Sequence, residues 1–229
     1  MEKKLKSWQG WLLFGGTMVV VFVLGMIAAS VNERHAEVTS VMNNKKTEIT
    51  GIEARNDKFE SNYPREYQTW EATADTSFKS LYNGNQAVDV LEARPEMVIL
   101  WAGYAFSKDY STPRGHMHAI EDMRNTLRVG APMTENEGPQ PATCWTCKSP
   151  DVPRMMQAMG VDNFYKGKWA SLGKEIVNPI GCADCHEPEN MNLHISRPAL
   201  IEAFQRQGKD ITKATQQEMR SLVCAQCHV

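Results

Sequence analysis

Three five-residue stretches constrain this chain more than anything else in it: "CWTCK" at 144–148, "CADCH" at 182–186 and "CAQCH" at 224–228. They contain all six cysteines, so none is left over. Paired cysteines of this kind form disulfides in exported proteins, hold zinc or exchange thiols. Two of the pairs are followed at once by histidine, and Cys-x-x-Cys-His is the attachment signature of c-type haem. There, two thiols add to the vinyl groups on one porphyrin edge, and the next residue lies beneath the iron as an axial ligand. Two such motifs, with a third that differs only in its last residue, favour covalent haem over zinc or plain disulfides. The attachment residues are then Cys144, Cys147, Cys182, Cys185, Cys224 and Cys227. Lys148, His186 and His228 stand in the axial-ligand position. Three porphyrins attached this close together would supply much of the core and make an electron wire.

The lysine that ends the first motif raises its own question. A neutral amine can bind iron, but lysine is normally protonated, with a pKa of about 10; binding at the iron offsets that cost. Either Lys148 is a surface residue whose haem takes another ligand, or one haem is made unlike the other two. Wire haems carry two protein ligands, whereas a catalytic iron needs an open face.

The N-terminus bears on the compartment. Lys3, Lys4 and Lys6 precede an apolar run from Trp11 to Val31 that contains no charge. At about 20 residues it is long enough to span a bilayer. The flanking lysines should stay in the cytoplasm, which places the body outside it, in the periplasm. Ala28 and Ser30 have the spacing of a cleavage site, but the length of the run favours an uncleaved signal-anchor over a cleaved signal peptide. The organisation expected is a signal peptide or anchor at 1–31, a polar linker at 32–51 and one domain at 52–229.

The rest of the chain reads as mainly α, with long loops. Its formal net charge of −2 gives no hint of nucleic acid binding. Residues 66–82 are helix-compatible, with Trp70, Phe78 and Leu81 on an apolar face. "MVILWAGYAF" (97–106) is a short buried strand or helix. Residues 118–128 read as a helix stopped by Gly130 and Pro132, and 134–141 as a loop. At 196–208, Ser196 is the candidate N-cap and Gly208 the stop. Residues 212–224 form a helix that feeds into the third motif.

These residues reach a resemblance. From about Ile52 to Val229 the chain resembles the N-terminal half of the ammonia-forming pentahaem cytochrome c nitrite reductases, the cytochrome c-552 family. The stretches that carry it are "YPREYQTWEAT", "VILWAGYAFSKDY", "RGHMHAIEDMRNTLRVGAP", "CWTCKSPDV", "GKWASLGKEIVNPIGCADCH", "SRPA" and "VCAQCHV". The resemblance implies a multihaem cytochrome c fold, with helices and long loops wrapped around closely packed haems. It implies that Lys148 marks the catalytic haem and that Arg128 is the pocket arginine that holds nitrite. It makes His116 the distal and His228 the proximal ligand of the third haem, and His186 a ligand of the second. On a helix, residues two apart are separated by about 200°, so His116 and His118 cannot both face one iron; the resemblance selects His116. His35 and His194 are expected to be ordinary solvated residues. The opposite ligand of the second haem matches nothing here.

The same resemblance implies six-electron reduction of nitrite to ammonium, with electrons from a membrane quinol-oxidising multihaem cytochrome. It also implies a homodimer and a bound calcium. Family members continue past the third motif with a calcium-binding glutamate, an active-site tyrosine and histidine, and two more haem motifs. The chain is therefore expected to be a fragment or truncated product, inactive by itself. The alternatives are a non-catalytic electron-transfer cytochrome and a fragment of an octahaem relative acting on nitrite or hydroxylamine.

Overall fold

The computed structural model describes residues 6–43, 45–79, 81, 85–129 and 140–228. Lys3, Lys4, Gly130, Pro132 and most of the 134–141 loop lie outside the described residues. The chain divides into two compact units, Met1–Lys46 and Thr47–Val229.

The first unit is one helix, α1 (Ser7–Asn43). Its segment Ser7–Ser40 has a mean hydropathy of 2.4 over its most apolar window and buries none of it. By length and composition it can cross a membrane. Its apolar side chains lie all round the helix: Trp11, Leu12, Phe14, Val19 and Phe22 are all exposed. A helix apolar on every side suits lipid rather than one protein face.

The second unit holds α2 (Asp57–Glu60), α3 (Pro64–Glu71), α4 (Val90–Ala93), α5 (Glu96–Leu100), α6 (Ala119–Asn125) and α7 (Asp151–Met159). It continues with α8 (Val161–Lys166), α9 (Trp169–Leu172), α10 (Cys182–Cys185), α11 (Pro198–Arg206) and α12 (Gln216–Ala225). Short 3-10 turns link them, and among the described residues β structure is limited to three isolated bridges. The mainly α expectation therefore holds. Local chemistry sets the boundaries. Pro64 and Pro198 open α3 and α11 at the first helical position, where no N–H is needed. Thr215 and Glu218 cap α12 reciprocally.

The core gathers around the first cysteine motif. Trp145, Val152, Met155, Met156, Phe164, Trp169 and Ile176 form one buried cluster. The indoles of Trp145 and Trp169 stack with centroids 5.7 Å apart and planes 4° from parallel.

Several sequence expectations are corrected, among them the helix over 118–128, which stops at Asn125 before a 3-10 turn at Leu127–Val129, and the helix over 212–224, which starts at Gln216. The helix expected over 66–82 stops at Glu71, followed by a 3-10 turn at Ala72–Ala74, and Phe78 and Leu81 are exposed. Thr69 and Thr73 turn their hydroxyls back onto the carbonyls of Glu66 and Trp70, a local alternative that helps end the helix. The 97–106 segment is helical at α5 but not buried, with Ile99 81% and Leu100 69% exposed. Ser196 is not the N-cap of α11; Arg197 occupies that position, and the Ser196 hydroxyl bonds the Asp184 carbonyl instead. Gly208 does follow α11, at φ +69.

Candidate functional site

The first motif is anchored by its own intervening residue. Trp145, between Cys144 and Cys147, is fully buried and donates its indole N–H to the Trp169 carbonyl at 2.9 Å. The Lys148 N–H then closes a turn onto the Trp145 carbonyl at 2.9 Å. Directly after it, the buried Ser149 hydroxyl donates to the Asn178 carbonyl, and the buried Asp151 accepts from the N–H groups of Val177 and Asn178. Those bonds tie the first motif to the segment that leads into the second.

The second motif is clamped from the N-terminal side. Asn56 accepts the Cys182 N–H at 2.9 Å and donates to the Pro179 carbonyl, while Trp70 donates to the Ile180 carbonyl at 2.7 Å. Gly181 leaves the room this needs, because a Cβ there would overlap the Asn56 amide. The His186 ring is oriented by a carbonyl: its Nδ1 lies 2.8 Å from Met191 O. A carbonyl only accepts, so Nδ1 carries a proton, and in the neutral ring Nε2 is the nitrogen left to act as a ligand. Met191 holds a φ of 60, the one positive value on a non-glycine among the described residues. Burial raises both Cys182 and Cys185 to about 11, so these thiols stay protonated at neutral pH.

The third motif ends α12, where His228 N–H bonds the Cys224 carbonyl at 2.9 Å. The Cys147 and Cys227 thiols neighbour one another, and their interaction lowers Cys147 and raises Cys227 above the usual thiol range.

These elements converge. A cavity of about 730 Å³ is lined by His116, Arg128, Cys147, Lys148, Cys227 and His228, with Asp109, Tyr110, Arg114 and Asp122 among the other lining residues. Cys144, half-buried, feels the charges of Arg128 and Lys148, although burial is what raises its thiol most. Cys144, Cys182, Cys185, His186 and Cys224 do not line the cavity.

His116 reaches it because Gly115 runs against Thr73; a Cβ at Gly115 would overlap the Thr73 carbonyl. Burial pushes His116 below the ordinary imidazole range, which leaves the ring neutral and able to act as a ligand. His118 is otherwise engaged, with Nε2 at 3.0 Å from Ala74 O and Nδ1 at 3.4 Å from Glu121. Arg128 lies with its guanidinium 5.1 Å from the Phe106 ring centre and 5.7 Å from that of Tyr110. Its buried Nε has no hydrogen-bond partner among the described residues. His194, expected to be solvated, is half-buried beside His186, and burial lowers its pKa.

The residues fit a covalently held porphyrin. All six cysteines are free of disulfides. Among the described residues, no group of three or more His, Cys, Asp or Glu side chains is placed to hold a metal ion. Thiols, imidazoles and an amine instead open onto one cavity of cofactor size. Sequence reasoning missed Asn56, Gly115 and Met191. Nothing local marks Asn56, whose partner is 126 positions away. Gly115 carried a signal, since a glycine beside a candidate ligand points to close backbone approach.

The chain is similar to several known proteins. The family model described as cytochrome c552 matches residues 55–229. The cytochrome c-552 of Bacteroides fragilis is 76% identical over 229 residues, covering 100% of this chain and 46% of that protein. Those of Porphyromonas gingivalis and Aliarcobacter butzleri are 72% and 48% identical, with 46% and 42% of their lengths covered. The chain thus spans about half the length of the curated relatives it matches. Among solved structures, a cytochrome c nitrite reductase catalytic subunit from Desulfovibrio desulfuricans, titled for its two calcium sites, aligns with a TM-score of 0.73. It is 30% identical, and the alignment covers 80% of this chain and 41% of that one. With its family model matched from residue 55 to 229 and its whole length covered by relatives of that name, the chain belongs to the cytochrome c552 family.

Proposed function

We propose that the chain is the N-terminal part of an ammonia-forming cytochrome c nitrite reductase, residues 1–31 serving as signal or anchor, 32–51 as linker and 52–229 as haem-binding domain. The observation that carries this reading is the convergence of Arg128, Lys148, His116 and His228 on one cavity with thiols of two motifs. Cys144 and Cys147, Cys182 and Cys185, and Cys224 and Cys227 would each hold one haem c. When bound, the haems supply iron for the substrate and a path for electrons. Lys148 would ligate the first iron, His186 the second, and His116 with His228 the third.

Arg128 is suited to an anion. The faces of Phe106 and Tyr110 fix its guanidinium, and no acidic side chain among the described residues forms an ion pair with it. A fixed charge in a recess holds nitrite and stabilises charge that develops on it. The chain spans about half the length of the relatives it matches, and on this reading the pocket and the calcium site would draw on the other half as well, so the 229 residues alone should not sustain ammonium formation. The electron donor would be a quinol-oxidising cytochrome at the membrane, and the longer enzyme a homodimer in the periplasm.

The test is haem content. Matured with machinery that handles the lysine motif, the chain should carry three covalent haems by intact mass and alkaline pyridine spectrum. Zinc or three disulfides in their place would end the reading.

A further inference from the structure

One residue outside the cavity touches all three motifs. Arg197 is 1% exposed and precedes α11. Its Nε donates to the Thr146 carbonyl at 2.6 Å, and one terminal nitrogen donates to the Ser149 carbonyl at 2.9 Å. That same nitrogen pairs with the Asp184 carboxylate, itself buried. The other terminal nitrogen reaches the Ser196 hydroxyl at 2.6 Å. The Arg197 backbone N–H donates to the Gln226 side-chain oxygen at 3.1 Å, as does that of Ser196 at 2.9 Å. The Gln226 amide nitrogen returns to the Asp184 carbonyl at 2.8 Å.

Thr146, Asp184 and Gln226 occupy the same place in "CWTC", "CADC" and "CAQC": each is the second residue between the cysteines. Equivalent positions of three turns, far apart in sequence, thus meet at one residue, the first two at its guanidinium and the third at its backbone N–H. We infer that Arg197 is a positioning residue that fixes the three cysteine-bearing turns relative to one another, and through them the mutual placement of the attached haems. This rests on the haem reading above.

The chemistry suits arginine in particular. Its planar fork serves several acceptors at once, whereas an ammonium on a flexible stem presents one compact point of contact. The buried pair with Asp184 is weak evidence for stability as such, since such pairs are often replaceable by apolar residues without loss. Their better-attested use is specification of geometry. Haem-to-haem electron transfer falls steeply with separation, so relative placement of the turns is the quantity worth fixing. Asp184 joins in by accepting the Gly181 N–H at 2.8 Å, which fixes the entry to the second turn.

The test uses the haem-loaded chain, with haem–haem magnetic interaction in the electron paramagnetic spectrum as the positional readout. Arg197→Lys and Arg197→Met should both alter that interaction, because lysine keeps the charge but not the fork. The double variant Arg197→Met/Asp184→Leu removes both buried charges; it should regain melting temperature relative to Arg197→Met while its spectrum stays altered. Arg154→Met, which deletes a half-exposed arginine paired with Asp151, should leave the spectrum as in wild type. A wild-type spectrum in Arg197→Lys would mean that charge alone suffices and would overturn the inference. Lowered melting with unchanged spectra in Arg197→Met and in the double variant would overturn it too, leaving a structural role only. Wild-type protein without haem would instead overturn the reading on which it rests.

Discussion

At Arg128, two aromatic faces do what an acidic partner would otherwise do, and they do it without neutralising the charge. In the full-length enzyme, Arg128→Ala should therefore leave haem spectra nearly intact and slow nitrite turnover. Loss of one such donor costs about 2–4 kcal/mol, or roughly 30- to 1000-fold. Steady-state ammonium production measures this, and undiminished turnover would remove Arg128 from the pocket. Gly115 makes a second residue-scale prediction. A methyl group there meets the Thr73 carbonyl and the Asn85 side chain, so Gly115→Ala must shift the backbone that presents His116. Overpacking of this kind costs about 1–3 kcal/mol. In the haem-loaded chain it should also convert the third haem from low to high spin. Gly10→Ala, with nothing within 4 Å of its Cβ, should change neither stability nor spin state.

At the scale of elements, α12 is the helix that delivers the third motif, and its start is held by a reciprocal cap. Thr215 N–H donates to Glu218 at 2.8 Å, and the Glu218 N–H returns to the Thr215 hydroxyl at 3.3 Å. The first of these bonds, with the Thr215 hydroxyl, holds Glu218 below the ordinary carboxylate range. A depressed carboxylate stabilises the fold above its unfolded-state pKa and loses that contribution as pH falls through the folded one. The difference in melting between wild type and Glu218→Gln should therefore be present at neutral pH and close on acidification; a gap that persists in acid would refute the cap. Thr215→Ala removes the hydroxyl and should cost about 1 kcal/mol of helix stability. The signal for this cap is local, because "TQQE" carries both partners within four residues, yet the helix expected from the sequence starts at 212, three residues before it. The extent of α3 could not, because Trp70 is spent on the Ile180 carbonyl, 110 positions away, rather than on a continuing apolar stripe. The same contrast runs through the site. The cysteine pairs and their following residues are local and legible. The meeting of His116 with His228 in one cavity depends on backbone contacts that no window of sequence contains.

For the whole molecule, the division into Met1–Lys46 and Thr47–Val229 makes a fractionation experiment informative. Full-length chain should sediment with membranes and resist extraction by salt, while a chain that starts at Thr47 should be released. Recovery of both in the soluble fraction would argue that α1 does not anchor the protein. The shortened chain also exposes an optical consequence of the Trp145–Trp169 stack. Without Trp8 and Trp11, its tryptophans are Trp70, Trp101, Trp145 and Trp169. One of the stacked pair lies between the very cysteines that would bind the first porphyrin, a strong absorber in the region where indoles emit. Emission from this pair would be bright in the unloaded chain and dark once the first haem is attached. Haem attachment could thus be followed in real time by fluorescence, with no label added.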